Sequence, residues 1–176
     1  VFFWNDVMLS RLSMNSKKHI LCYGDSNTWG YVPGSIDYGT HYLERYSELE
    51  RWTGILQSTL GPEYHIIEEG LNGRTTNLDY SDRPGLNGAS YFLPCLNSHA
   101  PLDLVMIQLG LNDLQVCFDR EADAVASGMK ELIGIAQDTL FGKDMQSQPE
   151  LVVVTPPELV NENFLDDELL QQLLLC

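Results

Sequence analysis

Ile20-Leu21-Cys22-Tyr23-Gly24-Asp25-Ser26-Asn27-Thr28-Trp29-Gly30 is the stretch whose reading decides the fold. Its first four residues are a continuous apolar run, the pattern of a strand buried on both faces of a sheet. The run stops at Gly24, and Asp25, Ser26 and Asn27 are turn formers. A serine on a tight turn at the carboxyl end of a first strand exposes its hydroxyl as a nucleophile. The same residues also suit an ordinary turn whose serine caps the next helix.

Working outward, His19 to Tyr23 is predicted as the first strand and Tyr64 to Glu68 as the second. Leu102 to Leu109, with Leu104-Val105-Met106-Ile107 at its centre, is predicted as the third. Leu151-Val152-Val153-Val154 is the fourth, stopped by Pro156-Pro157. Between them, Trp52, Ile55, Leu56 and Leu60 recur at helical spacing within Glu50 to Leu60, which Gly61-Pro62 closes. Ala122 to Leu140 puts Val125, Met129, Leu132, Ile133 and Ala136 on one face of a second helix. Phe164 to Leu175 is read as a last helix. Residues 31–48 and 77–94 are read as loops, the latter from Pro84-Gly85 and Asn87-Gly88.

Strands alternating with helices predict a parallel sheet covered on both faces, hence a three-layer α/β/α domain. In such sheets ligands bind beyond the carboxyl ends of the strands. Residues 24–27, 69–76 and 110–113 all begin at predicted strand ends, so they define one candidate site.

With 176 residues the chain suits one domain. Its formal charge is −15, and its densest basic patch is only Arg11 to Lys18. Nucleic acid and acidic membrane surfaces are therefore disfavoured partners. No run approaches the about 20 apolar residues of a membrane span. The four cysteines, Cys22, Cys95, Cys117 and Cys176, match no zinc or disulfide framework, so reduced thiols and a cytoplasmic location are expected. Val1 to Ser13 carry no basic region or cleavage site of a secretory signal. They are read as a disordered extension before a single domain spanning 14–176.

Acyl transfer to a serine passes through a tetrahedral intermediate with a negative oxygen, and preorganised donors stabilise that oxygen. Ser26 is the candidate nucleophile. Gly73, with no Cβ, offers a backbone N–H close to substrate. Asn112 offers an uncharged side-chain amide. Asp25 is placed beside them to fix the turn by hydrogen bonding, and Trp29 to shape an acyl pocket. Asp113 is read as structural.

Gly24-Asp25-Ser26, Gly73 within Leu71-Asn72-Gly73-Arg74-Thr75, and Gly110-x-Asn112-Asp113 together resemble the three leading motif blocks of the SGNH (GDSL-type) ester hydrolases. The likeness is narrower with the small arylesterase and acyltransferase branch. It includes Arg51-Trp52-Thr53-Gly54, Glu68-Glu69-Gly70-Leu71, Arg74-Thr75-Thr76-Asn77, Leu86-Asn87-Gly88-Ala89-Ser90-Tyr91 and Pro101-Leu102-Asp103-Leu104-Val105, and runs from about Ile20 to Pro157. The resemblance implies a flavodoxin-like α/β/α fold with a mainly parallel sheet, no cofactor and no metal. It implies Ser26, Gly73 and Asn112 as catalytic residues acting on small short-chain esters through an acyl-serine. Water or an alcohol would take the acyl group, and a homo-oligomer is a further expectation.

The likeness departs at one block, the family's late Asp-x-x-His, since no histidine follows His99. The domain is therefore expected to be C-terminally truncated, without its last strand and base-bearing loop, and weakened in activity. The alternative is a non-catalytic binding protein on the same fold. His19 and His99 are predicted at the amino ends of strands and His65 within the second strand. His41, in the long loop, is the one histidine able to swing toward Ser26. A metallophosphoesterase would need several histidine and aspartate ligands at one ion, and no histidine adjoins either motif turn.

Overall fold

The computed structural model describes residues 17–37 and 43–155. Within them lie four strands, β1 (Lys18–Gly24), β2 (Tyr64–Gly70), β3 (Leu104–Gln108) and β4 (Glu150–Val153). The sheet order is β2-β1-β3-β4, and every pairing is parallel. The helices are α1 (Ser26–Trp29), α2 (Trp52–Leu60), α3 (Gly88–His99) and α4 (Ala122–Gln137). All four predicted strands are present, with bounds shifted by one or two residues.

The apolar run of β1 is explained by burial on both faces. Ile20 and Cys22 pack with Ile66 and, around them, Trp52, Leu56 and Leu60 of α2. Leu21 and Tyr23 point the other way, into a cluster with Phe92, Cys95 and Leu96 of α3, Val105 and Ile107 of β3, and Leu132 and Ala136 of α4. Successive strand residues alternate faces, so one strand feeds both cores and the domain is three-layered. At about 25 cal/mol per Å² of apolar area removed from water, these two clusters are the main favourable term of the fold.

Three expectations are corrected. Residues 77–94 are not wholly loop, because α3 begins at Gly88. Asn87 caps it, its side chain accepting from Ser90 N at 3.2 Å, and Tyr23 Oη donates to Gly88 O at 2.7 Å. Pro94 lies inside this helix without ending it. A proline interior to a helix forfeits a hydrogen bond and costs about 3 kcal/mol, and fully buried Phe92, Cys95 and Leu96 offset that cost by docking on the sheet. The second helix stops at Gln137, three residues early, and Leu140 beyond it is exposed. Not all the thiols are reduced. Cys22 and Cys95 are free and buried, whereas Cys117 is disulfide-bonded. The proposed extension at 1–13, His41, Pro156-Pro157 and the helix at 164–175 lie outside the described residues.

Candidate functional site at the carboxyl ends of the strands

The strand registers bring the three motif segments to one level. Gly24 of β1 lies opposite Gly70 of β2 and Gln108 of β3. Ser26, Gly73 and Asn112 follow these positions by two, three and four residues, on the same edge of the sheet.

Ser26 opens the single-turn helix α1 and is half-buried. Asp25 caps that turn. Its Oδ1 accepts from Asn27 N at 2.9 Å and Asn27 Nδ2 at 3.0 Å, and the residue is only 2% exposed. Burial pushes its pKa up against the pull of those two bonds. Thr28, fully buried, donates through Oγ1 to Gln108 Oε1 at 3.0 Å and so pins the turn to β3. Gly30 ends the turn in the left-handed region at φ +88°, its N–H bonded to Ser26 O at 2.8 Å.

Arg74 joins the segments, and it is a residue the sequence reading quoted but did not assign a role. It is 3% exposed. Its Nη1 donates to Gly24 O at 3.0 Å and also to Glu69 O, while its guanidinium lies 4.1 Å from the centre of the Tyr23 ring. Such a cation over a ring in a desolvated site is worth about 2 kcal/mol. Asn112 Nδ2 donates to Arg74 O at 3.0 Å. Its Oδ1 accepts from Gln115 Nε2 at 3.1 Å, and Gln115 Oε1 accepts from Tyr80 Oη at 3.1 Å. These bonds settle which way the Asn112 amide faces. Among the described residues they use one of its two N–H donors. The signal available in the sequence for Arg74 was a cation set among Thr75 and Thr76, two residues that are themselves fully buried.

Asp113 is buried with 0% exposure and holds the third segment to the second, as its structural reading predicted. It accepts from Thr76 N at 2.9 Å and from Thr76 Oγ1, and pairs with Arg120 Nη1 at 3.0 Å. Gly73 adopts φ +80°, a conformation in which only glycine is unstrained. Beside it, Asn72 Oδ1 is buried without a hydrogen-bond partner among the described residues. An orphaned acceptor costs about 1–3 kcal/mol, so this atom is a ready receiver for a donor from a bound molecule or water.

Trp29 is half-buried and is held from outside by the 43–51 segment. Arg45 Cζ lies 5.1 Å from its ring centre, Arg45 Nε donates to Trp29 O at 2.5 Å, and Tyr46 N donates to Gly30 O at 2.7 Å. Glu68 gathers Arg45, Arg51 and Thr53 around one carboxylate. Burial pushes the Glu68 pKa up, but the Thr53 hydroxyl and the two guanidinium groups outweigh this, and the net shift is downward.

The described histidines do not meet Ser26. His19 and His65 are paired across β1 and β2 near their amino ends, with rings 5.5 Å apart. His99 departs from its predicted place at the amino end of a strand. Its Nε2 lies 2.8 Å from Oε1 of Glu69, the residue before Gly70 in β2. A cavity of about 530 Å³, lined by Lys18, Tyr64, Asp103, Lys143 and Glu150 among others, opens at the opposite, amino ends of the strands.

This arrangement can be set against known proteins. The model of the GDSL-like lipase/acylhydrolase family matches residues 22–173. The chain belongs to that family. Among solved structures, the native M. smegmatis aryl esterase is 45% identical, with a TM-score of 0.73, over 80% of this chain and 64% of that one. Est24, a carbohydrate acetylesterase from Sinorhizobium meliloti, is 43% identical with a TM-score of 0.73, over 80% and 65%. A carbohydrate acetylesterase family member from the same organism is 36% identical with a TM-score of 0.68, over 80% and 63%. No curated protein matches. The SGNH-type chain described here thus spans rather less than two thirds of the length of these relatives. None of its described helices is long and apolar enough to cross a membrane.

Proposed function

We propose that this SGNH-family chain carries the nucleophile and oxyanion donors of a serine esterase for small short-chain esters. Ser26 Oγ attacks the ester carbonyl, the alcohol leaves, and the acyl-serine passes its acyl group to water or to an alcohol. The Ser26 and Gly73 N–H groups and the second Asn112 Nδ2–H face the developing oxyanion. Asp25 and Arg74 act as positioning residues, and Trp29 bounds the acyl side. The observation that carries this reading is the shared level of Gly24, Gly70 and Gln108 in the sheet, with Arg74 bridging to Gly24 O and to the Asn112 amide. Each oxyanion donor is worth about 3–4 kcal/mol of barrier.

The proton acceptor for Ser26 is not among His19, His65 and His99, whose rings are engaged elsewhere. That observation favours, as the second reading, a binding scaffold without turnover. Hydrolysis of p-nitrophenyl acetate by chain 1–176, beside its Ser26→Ala variant, separates the two. The esterase reading expects turnover that is lost in the variant, because only the Ser26 hydroxyl can form the acyl-serine. Equal turnover in both would overturn Ser26 as nucleophile, and none from a folded sample would favour the scaffold.

A further inference from the structure

We propose that Glu69, Cys95 and His99 form a binding site for a zinc-class divalent metal ion at the β2 edge of the sheet. Their ligand atoms, a carboxylate oxygen, Sγ and Nε2, lie within 4.8 Å of one another. Cys95 and His99 stand four residues apart on α3, so they share one helix face. Glu69 reaches them from β2, an edge strand in the order β2-β1-β3-β4. Two ligands from one rigid helix and a third from a strand define a preformed half-shell. Tetrahedral bonds of about 2.0–2.3 Å place ligand atoms roughly 3.3–3.6 Å apart, so the trio needs only side-chain torsions to close.

The donor set selects the metal. One thiolate, one imidazole and one carboxylate suit zinc far better than magnesium or calcium, which prefer oxygen alone. Three protein ligands leave a fourth position for water. Access is available, since the Glu69 and His99 side chains are 21% and 30% exposed while Cys95 is fully buried. Charge also balances: a divalent ion meets one carboxylate and one thiolate. The Arg74 guanidinium nearby is already tied to two backbone carbonyls.

In the binding step the Cys95 S–H bond breaks, an Sγ–metal bond forms, and the proton leaves to solvent. The Nε2 hydrogen of His99 that faces Glu69 leaves to solvent, Nδ1 carries the ring proton in the bound state, and Nε2 gives its lone pair to the metal. Glu69 exchanges its contact with His99 for a metal–oxygen bond. Metal and proton compete for the same sulfur. Affinity should therefore rise with pH.

The test is cobalt(II) titration of chain 1–176, read by the near-ultraviolet thiolate-to-cobalt charge-transfer band, with zinc competition for affinity. A one-to-one band is expected that is absent in Cys95→Ser and at least roughly tenfold weaker in apparent affinity in His99→Gln. No band at excess cobalt in the folded chain, or a band that survives Cys95→Ser, would overturn the site. Should Cys95→Ser fail to fold, Glu69→Gln decides beside His99→Gln. Each is expected to weaken the cobalt band at least roughly tenfold in apparent affinity, and a band unchanged in both overturns the proposal.

Discussion

At Asp25 one carboxylate is both a cap and a buried charge. Its Oδ1 receives both Asn27 donors, and an asparagine oxygen at the same place would receive them too. The raised pKa means the fold disfavours the ionised form. The stability linked to this group is present below the unfolded value of about 3.9 and is lost as pH rises through the higher folded value. Asp25→Asn is therefore expected to gain stability over the parent chain progressively above about pH 4, and to level off once Asp25 is ionised in both states. Urea midpoints of the two proteins from pH 3 to 8 check this, and a parallel pair of curves would contradict it. The placement of Ser26, Gly73 and Asn112 just beyond strand ends was legible in the sequence because turn residues sat at the ends of apolar runs. Arg74 was not, because nothing in a sequence says which cation will be folded inward and surrounded by carbonyls.

At the scale of elements, the site depends on how closely α1 sits against the end of β2. A Cβ at Gly70 would stand 2.2 Å from Trp29 N and 2.6 Å from Thr28 C, both backbone atoms that cannot rotate away. Gly70→Ala is expected to cost about 1–3 kcal/mol as overpacking and to reduce any Ser26-dependent turnover by shifting α1. Gly134→Ala is the matched control. It lies inside α4 with no atom within 4 Å of the added carbon, and should be neutral or stabilising by about 0.5–1 kcal/mol. Thermal midpoints distinguish the two, and equal effects would remove the packing argument. The strands and the α2 and α4 faces were readable from periodicity. Helix α3 was not, because Asn87-Gly88 and Pro94 read locally as breakers. Only the sheet, by burying Phe92, Cys95 and Leu96, makes that segment worth winding into a helix.

At the scale of the molecule, β1 and β3 are central and β4 is an outer strand. Val105 and Ile107 of β3 are fully buried, whereas Val152 and Val153 of β4 are each 42% exposed. Opening free energies follow burial and contact density. Amide hydrogen exchange is expected to show β1 and β3 protected to the global stability, with β4 at least roughly tenfold less protected. Uniform protection across the sheet would contradict this picture. The sequence by itself determined the parallel three-layer architecture, the succession of the four strands with helices α2 and α4, and the candidate nucleophile. Those depend on local hydrophobic period and turn chemistry, which are written in neighbouring residues. Only the tertiary structure decided that Arg74 ties Gly24 to the Asn112 segment, that the Gln115 amide orients Asn112, and that Glu69, Cys95 and His99 converge. Each of those contacts joins residues on different elements, and strand register and helix docking, not local sequence, set the distances between them.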